Sequence, residues 1–222
     1  MMKILVACEE SQTLTERFRA IGHHAISCDL KPGKINSQWH YQGNVFDILN
    51  DGWDMMIAHP PCTYLTVTAN KWLKDQPKRD SGKLVGQERR DARAEAIEFF
   101  MALWNAPIPR IAIENPIGCM SSVFRKADQI IHPYYFGDPA TKATCLWLKN
   151  LPKLQWQKHN DLFNHSTTVK PEFYTTKTGK KYPAWSMIET AKIKDLDMRS
   201  EARSKTFPGI ADAMVNQWGS LI

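Results

Sequence analysis

The sequence predicts an α/β fold with a mostly parallel sheet, on two observations. Short apolar runs that fit buried strands alternate with segments of helical periodicity through the first 150 residues. Polar residues and prolines follow several of these runs directly, as expected where strands end at one edge of an open sheet. We therefore expect an α/β core domain over residues 1–150, a small irregular region over 151–203 and a C-terminal helix within 204–222 that packs back on the core.

Composition narrows the class of protein. A hydrophobic content of 43% and a charged content of 23% are ordinary for a water-soluble globular chain of 222 residues. No apolar run approaches a membrane span, and the N-terminus enters a strand-like pattern at once, so we expect no signal peptide and no membrane partner. Five cysteines without a CxxC pair predict neither a disulfide framework nor a zinc site, and they favour a reducing, cytoplasmic setting. The formal charge of +6 is a weak indication of a polyanionic partner.

The first 30 residues read as strand, helix, strand. Lys3–Cys8 is an apolar strand, a helix of regular apolar spacing runs to Gly22, and Ala25–Cys28 is a second strand closed by Asp29. An acid at this point accepts hydrogen bonds from ribose hydroxyls in nucleotide-binding units, although a loop cap is the alternative. The usual glycine-rich turn is replaced by a segment containing Glu9, which would repel a pyrophosphate. A cofactor without phosphates, such as S-adenosylmethionine, would tolerate that acid, so Glu9 and Asp29 are predicted cofactor contacts.

The segment Asp54–Cys62 organises the predicted site. After a short third strand or turn within Tyr41–Asp47, the run Met55–Ala58 fits a buried strand, and His59, Pro60 and Pro61 end it in a rigid turn. The turn presents Cys62 at the edge where α/β sheets bind ligands. The thiolate is a strong nucleophile when its surroundings stabilise it, whereas a buried, inert thiol is the alternative.

A basic segment follows the cysteine. Between Lys71 and Arg93 there are eight Lys or Arg residues against four acids, a difference of +4. Pro77, Ser81 and Gly82 predict that its first half is a loop. The two interpretations are a mobile lid that contacts phosphates and an ordinary solvated loop.

A second group of polar residues stands at the end of the next predicted strand. A helix over about Val85–Asn105 is predicted from its apolar face, and the strand Arg110–Ile113 ends in Glu114, Asn115 and Pro116. Neighbouring strands in a sheet lie about 5 Å apart. Cys62 and Glu114 could therefore face the same substrate.

The remainder of the chain has weaker signals. Tyr134–Gly137 and Cys145–Leu148 are predicted to pair as a hairpin, and Pro208–Trp218 reads as a closing helix. Between Lys170 and Lys205, nine Lys or Arg residues and five acids are interleaved with aromatic residues. That composition suits a nucleic-acid surface and a poorly ordered loop equally well.

The order of these motifs resembles that of DNA cytosine-C5 methyltransferases. Pro60-Pro61-Cys62 and Glu114-Asn115-Pro116 are similar to the family's PPC and ENV signatures, and the closing FPGIA…AM…QW segment is similar to that of short phage- and prophage-encoded members. The resemblance covers the chain from the first strand to the last helix. It implies a Rossmann-like class I S-adenosylmethionine-dependent fold with a C-terminal hairpin and a small irregular insertion.

The resemblance also implies chemistry and partners. Cys62 would add to C6 of a flipped-out cytosine in DNA while Glu114 assists at N3. Catalysis would then belong to residues 1–150 and DNA contact to 151–203, in a bacterial host cell if the chain is phage-encoded. No metal is implied, and the oligomeric state is left open. The remaining implied contacts are, for substrate, Pro61, Asn115, Pro116, Lys142 and Thr144, and, for cofactor, Asn44, Asp47 and Pro60.

The chain departs from the family pattern in its first motif, where glycines and a phenylalanine are usual, at His59, where glycine is common, and at Pro116, where valine is usual. Rival hypotheses are an amino-group methyltransferase, which would need an aromatic residue where Cys62 stands, a DNA-binding protein that has lost its chemistry, and an enzyme acting on free cytidine nucleotides.

Overall fold

The computed structural model describes residues 1–77, 82–157, 167–189 and 193–221, and it is a mixed α/β structure around a mostly parallel seven-stranded sheet. The strands of this sheet are β1 Lys3–Ala7, β2 His24–Asp29, β3 His40–Gln42, β4 Met55–Ala58, β5 Arg110–Pro116, β6 Gln129–Ile131 and β7 Thr144–Lys149. The helices are α1 Thr13–Ala20, α2 Gly86–Trp104, α3 Met120–Val123, α4 Leu196–Ser204 and α5 Pro208–Trp218. A separate two-stranded sheet pairs β8 Phe173–Thr175 with β9 Lys181–Pro183.

The strand order is β3-β2-β1-β4-β5-β7-β6, and the first five strands run parallel. β7 is antiparallel to both of its neighbours, β5 and β6. The chain winds from β1 towards one edge of the sheet and from β4 towards the other. The order therefore reverses between β1 and β4, and in open α/β sheets ligands bind beyond the carboxyl ends of the strands at such a point.

Both faces of the sheet are buried, which explains why the strands read as continuous apolar runs. Alternate residues of β1 separate onto the two faces, with Ile4 and Val6 on one side and Leu5 and Ala7 on the other. The first face packs against α1 and α5, and the second packs against α2. This alternation fixes the strands rigidly, so the residues directly after them are held in defined positions.

The structure confirms most elements predicted from apolar patterning. The predicted strands that became β1, β2, β4 and β5 are present, the long helix after the basic segment is α2, and the closing helix spans Pro208–Trp218 as expected. These segments carry their own signals because apolar runs and prolines act locally.

The predicted hairpin is wrong in one strand. Residues Pro133–Phe136 form a short 3₁₀ helix, and β7 instead pairs antiparallel with β6 on one side and β5 on the other. Pro133 lacks the N–H that a ladder needs, and the ring of Tyr135 stacks on Trp156 with centroids 4.5 Å apart, which holds the segment off the sheet. The third strand is also shorter than the predicted segment, since Val45–Asp47 turns into a 3₁₀ helix.

The region from 151 to 203 is more regular than predicted, because it contains β8, β9 and α4. The helix α4 begins at an Asp195 cap, whose side chain accepts a hydrogen bond from Met198 N at 2.8 Å. It has too few apolar residues to show helical periodicity in the sequence. The proposed basic surface of this region falls partly on residues 158–166 and 190–192, which lie outside the described residues.

Candidate active site

The polar residues predicted at the ends of β4 and β5 lie together at the carboxyl edge of the sheet, where two neighbouring cavities open. The first, which we term the acceptor cleft, lies beyond β4 and β5 and contains Cys62 and Glu114 in its wall. The second, the donor cavity, lies beyond β1 and β2 and has a volume of about 340 Å³. Cys8 and Pro61 line both cavities, so the two spaces share a wall.

The register of β4 and β5 brings the residues after β4 next to those at the end of β5. Ala58 pairs with Ile113 in the parallel ladder, so His59 and Glu114 are the next residues along adjacent strands. His59 Nδ1 lies 3.1 Å from Glu114 Oε2. Asn115 is buried and donates from Nδ2 to the carbonyl of Pro60 at 2.8 Å, which holds the Pro60-Pro61 turn against β5.

The loops that follow β4 and β5 are joined by a short antiparallel ladder. Thr66 pairs with Gly118, Cys119 N donates to the Leu65 carbonyl at 2.8 Å, and Val67 N donates to the Ile117 carbonyl at 3.3 Å. The Cys62 carbonyl accepts hydrogen bonds from Leu65 N and Thr66 N, which closes the turn that presents the thiol. The position of Cys62 relative to Glu114 therefore depends on contacts between the two loops.

We expect Gly118→Ala to reduce activity more than stability. A Cβ at this position would lie 2.2 Å from the Leu65 carbonyl oxygen, so the two loop backbones would have to separate. Displacing reacting groups by about 1 Å can cost on the order of 10²-fold in rate. The measurement is the single-turnover rate of the reaction proposed below, beside thermal unfolding. Gly179→Ala is the control for backbone strain away from the loops: its φ of 81° disfavours alanine although a Cβ there meets nothing within 4 Å, so we expect it to lower stability and leave the rate unchanged. Equal losses of rate in both variants would contradict the role of the loop ladder.

The charges of the acceptor cleft act in opposite directions on its two principal groups. Removal of water by burial raises the pKa of the Cys62 thiol, and the negative charge of Glu114 raises it further, while Lys142 lowers it. Burial also acts to raise the pKa of Glu114, but the hydrogen bond from His59 and the charge of Lys142 outweigh it, so this pKa is lowered overall. At neutral pH Cys62 is thus a thiol and Glu114 a carboxylate.

The donor cavity collects predicted cofactor contacts and adds aromatic residues that the sequence did not single out. Asp29 and Asn44 both line it. Asp29 Oδ1 accepts a hydrogen bond from Lys31 N at 3.0 Å, and Asn44 Oδ1 accepts one from Phe46 N at 3.1 Å, so each side chain also shapes its own turn. Phe46 and Phe99 form an edge-to-face pair with centroids 5.6 Å apart at this cavity. Phe46 is 44% exposed, so its side chain stays accessible at this cavity, which only the tertiary structure shows.

Three of the predicted cofactor contacts lie elsewhere. Asp47 is exposed, accepts a hydrogen bond from the Tyr41 hydroxyl at 3.0 Å and lines neither cavity. Pro60 lines the acceptor cleft, not the donor cavity. Glu9 also borders the acceptor cleft, but its carboxylate caps α1.

The capping role of Glu9 explains why an acid stands where a glycine turn was expected. One carboxylate oxygen accepts from Leu14 N at 2.7 Å and the other from the Thr15 hydroxyl at 2.8 Å. A negative charge at a helix N-terminus is stabilising. Glu9 is only 4% exposed, and both of its carboxylate oxygens are already hydrogen-bonded to the start of α1. A cofactor contact by Glu9 stays a prediction, and this geometry does not favour it.

The predicted substrate contacts lie together. Pro61, Asn115, Pro116 and Lys142 line the acceptor cleft, and Thr144 lines a small adjoining cavity that also contains Glu114 and Lys142. The opposite wall was not predicted. It is formed by the end of α4 and the segment after it, Arg203, Ser204, Lys205 and Thr206. No local pattern marks these residues, because only the docking of α5 against the sheet returns the chain to the cleft.

The basic segment divides into two parts. Arg89 and Arg93 of α2 donate to the carbonyls of Thr63 and Tyr64, at 3.0 and 2.7 Å, and so clamp the loop that carries Cys62. These arginines are structural rather than part of a lid. Lys71, Lys74 and Lys83 are exposed, whereas Lys78 and Arg79 of the predicted lid lie outside the described residues.

Searches of family models and of curated proteins find no match to this chain. Among solved structures, one that is similar is a "putative DNA modification methyltransferase encoded within prophage" of E. coli, with a TM-score of 0.41 and 14% sequence identity. The match covers 77% of this chain and 52% of that one, so the chain spans about half the length of its neighbour. A likeness this low carries no information about the chemistry of this chain.

Two further findings concern other classes of protein. None of the described helices combines the length and the apolar character needed to cross a membrane. Within the same part of the chain, no group of three or more His, Cys, Asp or Glu side chains is arranged to hold a metal ion.

Proposed function

We propose that this chain transfers a methyl group from S-adenosylmethionine to C5 of cytosine in DNA through a covalent adduct at Cys62. The observation that supports this best is the pairing of the two cavities. A cysteine and a glutamate from adjacent strand ends face one cleft, and that cleft shares the Cys8–Pro61 wall with a second cavity bordered by Asp29. A methyl donor in the second cavity and a cytosine in the cleft would therefore lie next to each other at that shared wall.

The sheet supports assignment to the Rossmann-like class I methyltransferase fold. The two cavities lie on either side of the point where the strand order reverses between β1 and β4, which is where doubly wound sheets bind their ligands. Asp29 is the last residue of β2, Cys8 follows β1, His59 follows β4, and Glu114 is the third residue from the end of β5. Each of these side chains is thereby held at the end of a strand whose two faces are both packed in the core.

The donor cavity suits S-adenosylmethionine in its residue types. Asp29 would accept hydrogen bonds from ribose hydroxyls, and the apolar wall of Phe46 and Phe99 would receive the adenine. Asn44 would contact the adenine edge. When bound, the cofactor supplies an electrophilic methyl group.

The residues of the acceptor cleft would prepare the cytosine. The Cys62 thiol would give up its proton to water as Sγ adds to C6, which breaks the 5,6 double bond and makes C5 nucleophilic. A proton shared between Glu114 and N3 would stabilise the negative charge that develops on the ring. After C5 is methylated, water would take the C5 proton, and cleavage of the sulfur–C6 bond would restore the double bond and release Cys62 as the thiolate. Lys142 would support thiolate formation, because its charge lowers the pKa of Cys62.

DNA is the proposed partner. The reacting atoms of a cytosine inside a duplex are out of reach, so the base would be flipped into the cleft. Lys71, Lys74 and Lys83 are exposed on the segment that follows the Cys62 loop, and Lys142, Arg203 and Lys205 border the cleft itself. These positive charges would contact the phosphates that flank the flipped nucleotide. The proposed setting is the cytoplasm, with residues 151–203 adding DNA contacts to the catalytic core.

The experiment is nucleoside mass spectrometry of duplex DNA after incubation with S-adenosylmethionine and the protein. We expect new 5-methylcytosine. N4-methylcytosine or N6-methyladenine would assign an amino-group methyltransferase instead. Modification of dCMP in preference to duplex DNA would assign a nucleotide enzyme, and DNA binding without any product would assign a binding protein.

A further inference from the structure

His59 follows β4 directly and contacts the glutamate of the acceptor cleft. Its backbone N–H donates to the Ala7 carbonyl at 2.9 Å, which extends the ladder between β4 and β1 by one residue and fixes the position of the ring. Its Nδ1 lies 3.1 Å from Glu114 Oε2, and the two side chains are only 12% and 15% exposed. The contact is therefore a largely desolvated one between two titratable groups.

Within the described part of the chain, Glu114 is the hydrogen-bond partner of the His59 ring. The second ring nitrogen, Nε2, is buried and has no protein partner there. A carboxylate accepts hydrogen bonds but cannot donate them, so Nδ1 must carry a hydrogen in this contact. The proton that this ring can pass on is thus aimed at Glu114.

Glu114 can act as a general acid towards the cytosine only if another group supplies it with a proton, and the contact with His59 provides such a group. His59 and Lys142 hold the pKa of Glu114 below its usual range, so the resting carboxylate has no proton of its own to give to a cytosine. Other titratable groups near the pair are Cys62 and Cys145, whose thiols sense the charge of Glu114. The charged groups that line the same cleft are Glu9, Glu10, Lys34, Arg203 and Lys205. His59 is hydrogen-bonded to Glu114, whereas in the described structure no hydrogen bond joins Glu114 to Cys62, Cys145 or Lys205.

We infer that His59 is the proton partner of Glu114, and that the pair, not the glutamate alone, supplies the proton to N3 of the base. The Nδ1–H bond breaks and a carboxyl O–H bond forms, and that carboxyl proton passes to N3 as sulfur adds to C6. The step starts from a ring that carries a hydrogen on both nitrogens: the ring loses the Nδ1 proton and keeps the one on Nε2, N3 gains one proton, and Glu114 ends as the carboxylate it was. Elimination of Cys62 returns the proton by the reverse path. This inference rests on the proposed function, because it assigns the source of a proton in that reaction.

The first test does not require activity. The pKa of Glu114 is followed by carbon-13 NMR of its side-chain carboxyl, assigned by the loss of the signal in Glu114→Gln. In His59→Gly we expect this pKa to rise by about one unit or more, because burial still raises it while the hydrogen bond and charge of the imidazole are gone. In His59→Asn, which keeps an N–H near the Nδ1 position, we expect a smaller rise. An unchanged pKa in both variants would overturn the proton partnership.

The second test separates proton transfer from positioning. His59→Asn can hold the carboxylate but cannot give up a proton, so we expect its single-turnover rate of 5-methylcytosine formation to fall by about 10²-fold, with unchanged DNA affinity. Added imidazole should restore much of the rate in His59→Gly, which leaves room for it, but not in His59→Asn. A wild-type rate in His59→Asn would overturn the inference.

The two tests fail in different ways. Absence of 5-methylcytosine from the wild-type protein would refute the proposed function, and the NMR titration would still decide whether His59 and Glu114 share a proton. Product from the wild-type protein, together with an unshifted Glu114 titration in the His59 variants, would refute only the inference about His59.

Discussion

Cys62→Ser is expected to lower the rate of 5-methylcytosine formation by on the order of 10⁴-fold or more. A serine hydroxyl at this position is a far weaker nucleophile than a thiolate. Cys62 as a whole residue is exposed on its turn, although surrounding protein atoms partly desolvate the thiol, so we expect the free energy of unfolding to change little. The measurement is product formation by mass spectrometry under single-turnover conditions, beside urea unfolding.

Cys119→Ser is the matched control for this variant. Cys119 is another free cysteine, it lies on the partner strand of the loop ladder, and it lines neither the acceptor cleft nor the donor cavity. We expect it to retain most of the wild-type rate. If Cys62→Ser retained as much activity as Cys119→Ser, a covalent adduct at Cys62 would be excluded.

Trp147→Ala is expected to have the largest effect on stability, a loss of about 3–5 kcal/mol in the free energy of unfolding. Trp147 lies in β7, the antiparallel strand between β5 and β6, and its side chain is fully buried. Its ring packs edge-to-face on Phe100 of α2 with centroids 5.2 Å apart, and Nε1 donates to the Arg125 carbonyl at 2.9 Å. Truncation would leave a cavity and remove the donor to that carbonyl.

Trp147→Phe separates these two contributions, because phenylalanine keeps an aromatic ring against Phe100 but cannot donate a hydrogen bond. We expect it to cost about 1–3 kcal/mol, less than the alanine variant. Both values come from urea denaturation at equilibrium. A loss below about 1 kcal/mol in Trp147→Ala would mean that β7 does not anchor the sheet to α2.

Several parts of the site could be predicted because their signals are local. The apolar run Met55–Ala58 and the two prolines after it predict a strand and a rigid turn whatever the rest of the chain does. The same holds for the strand that ends in Glu114-Asn115-Pro116. Parallel strands leave their carboxyl ends at one edge, so the proximity of Cys62 and Glu114 followed from these two segments together.

Other parts could not be predicted because they depend on partners that are distant in the sequence. Glu9 was predicted to contact the cofactor, and its oxygens accept hydrogen bonds from the start of α1. Arg89 and Arg93 were counted only among the charges of the basic segment, and they hold the loop that carries Cys62. Residue type alone does not distinguish an acid or an arginine that contacts a ligand from one that binds backbone groups of the protein. Which role it takes depends on which unsatisfied backbone groups the fold brings within reach.

The sequence by itself determined the strand ends, the turn that carries Cys62 and the closing helix, since apolar periodicity and proline act through neighbouring residues. The tertiary structure decided that β7 pairs with β5 and β6, that the chain after α4 closes the acceptor cleft, and that His59 contacts Glu114. These features arise from pairing across tens of residues, where register and burial select one arrangement among many that the local pattern allows.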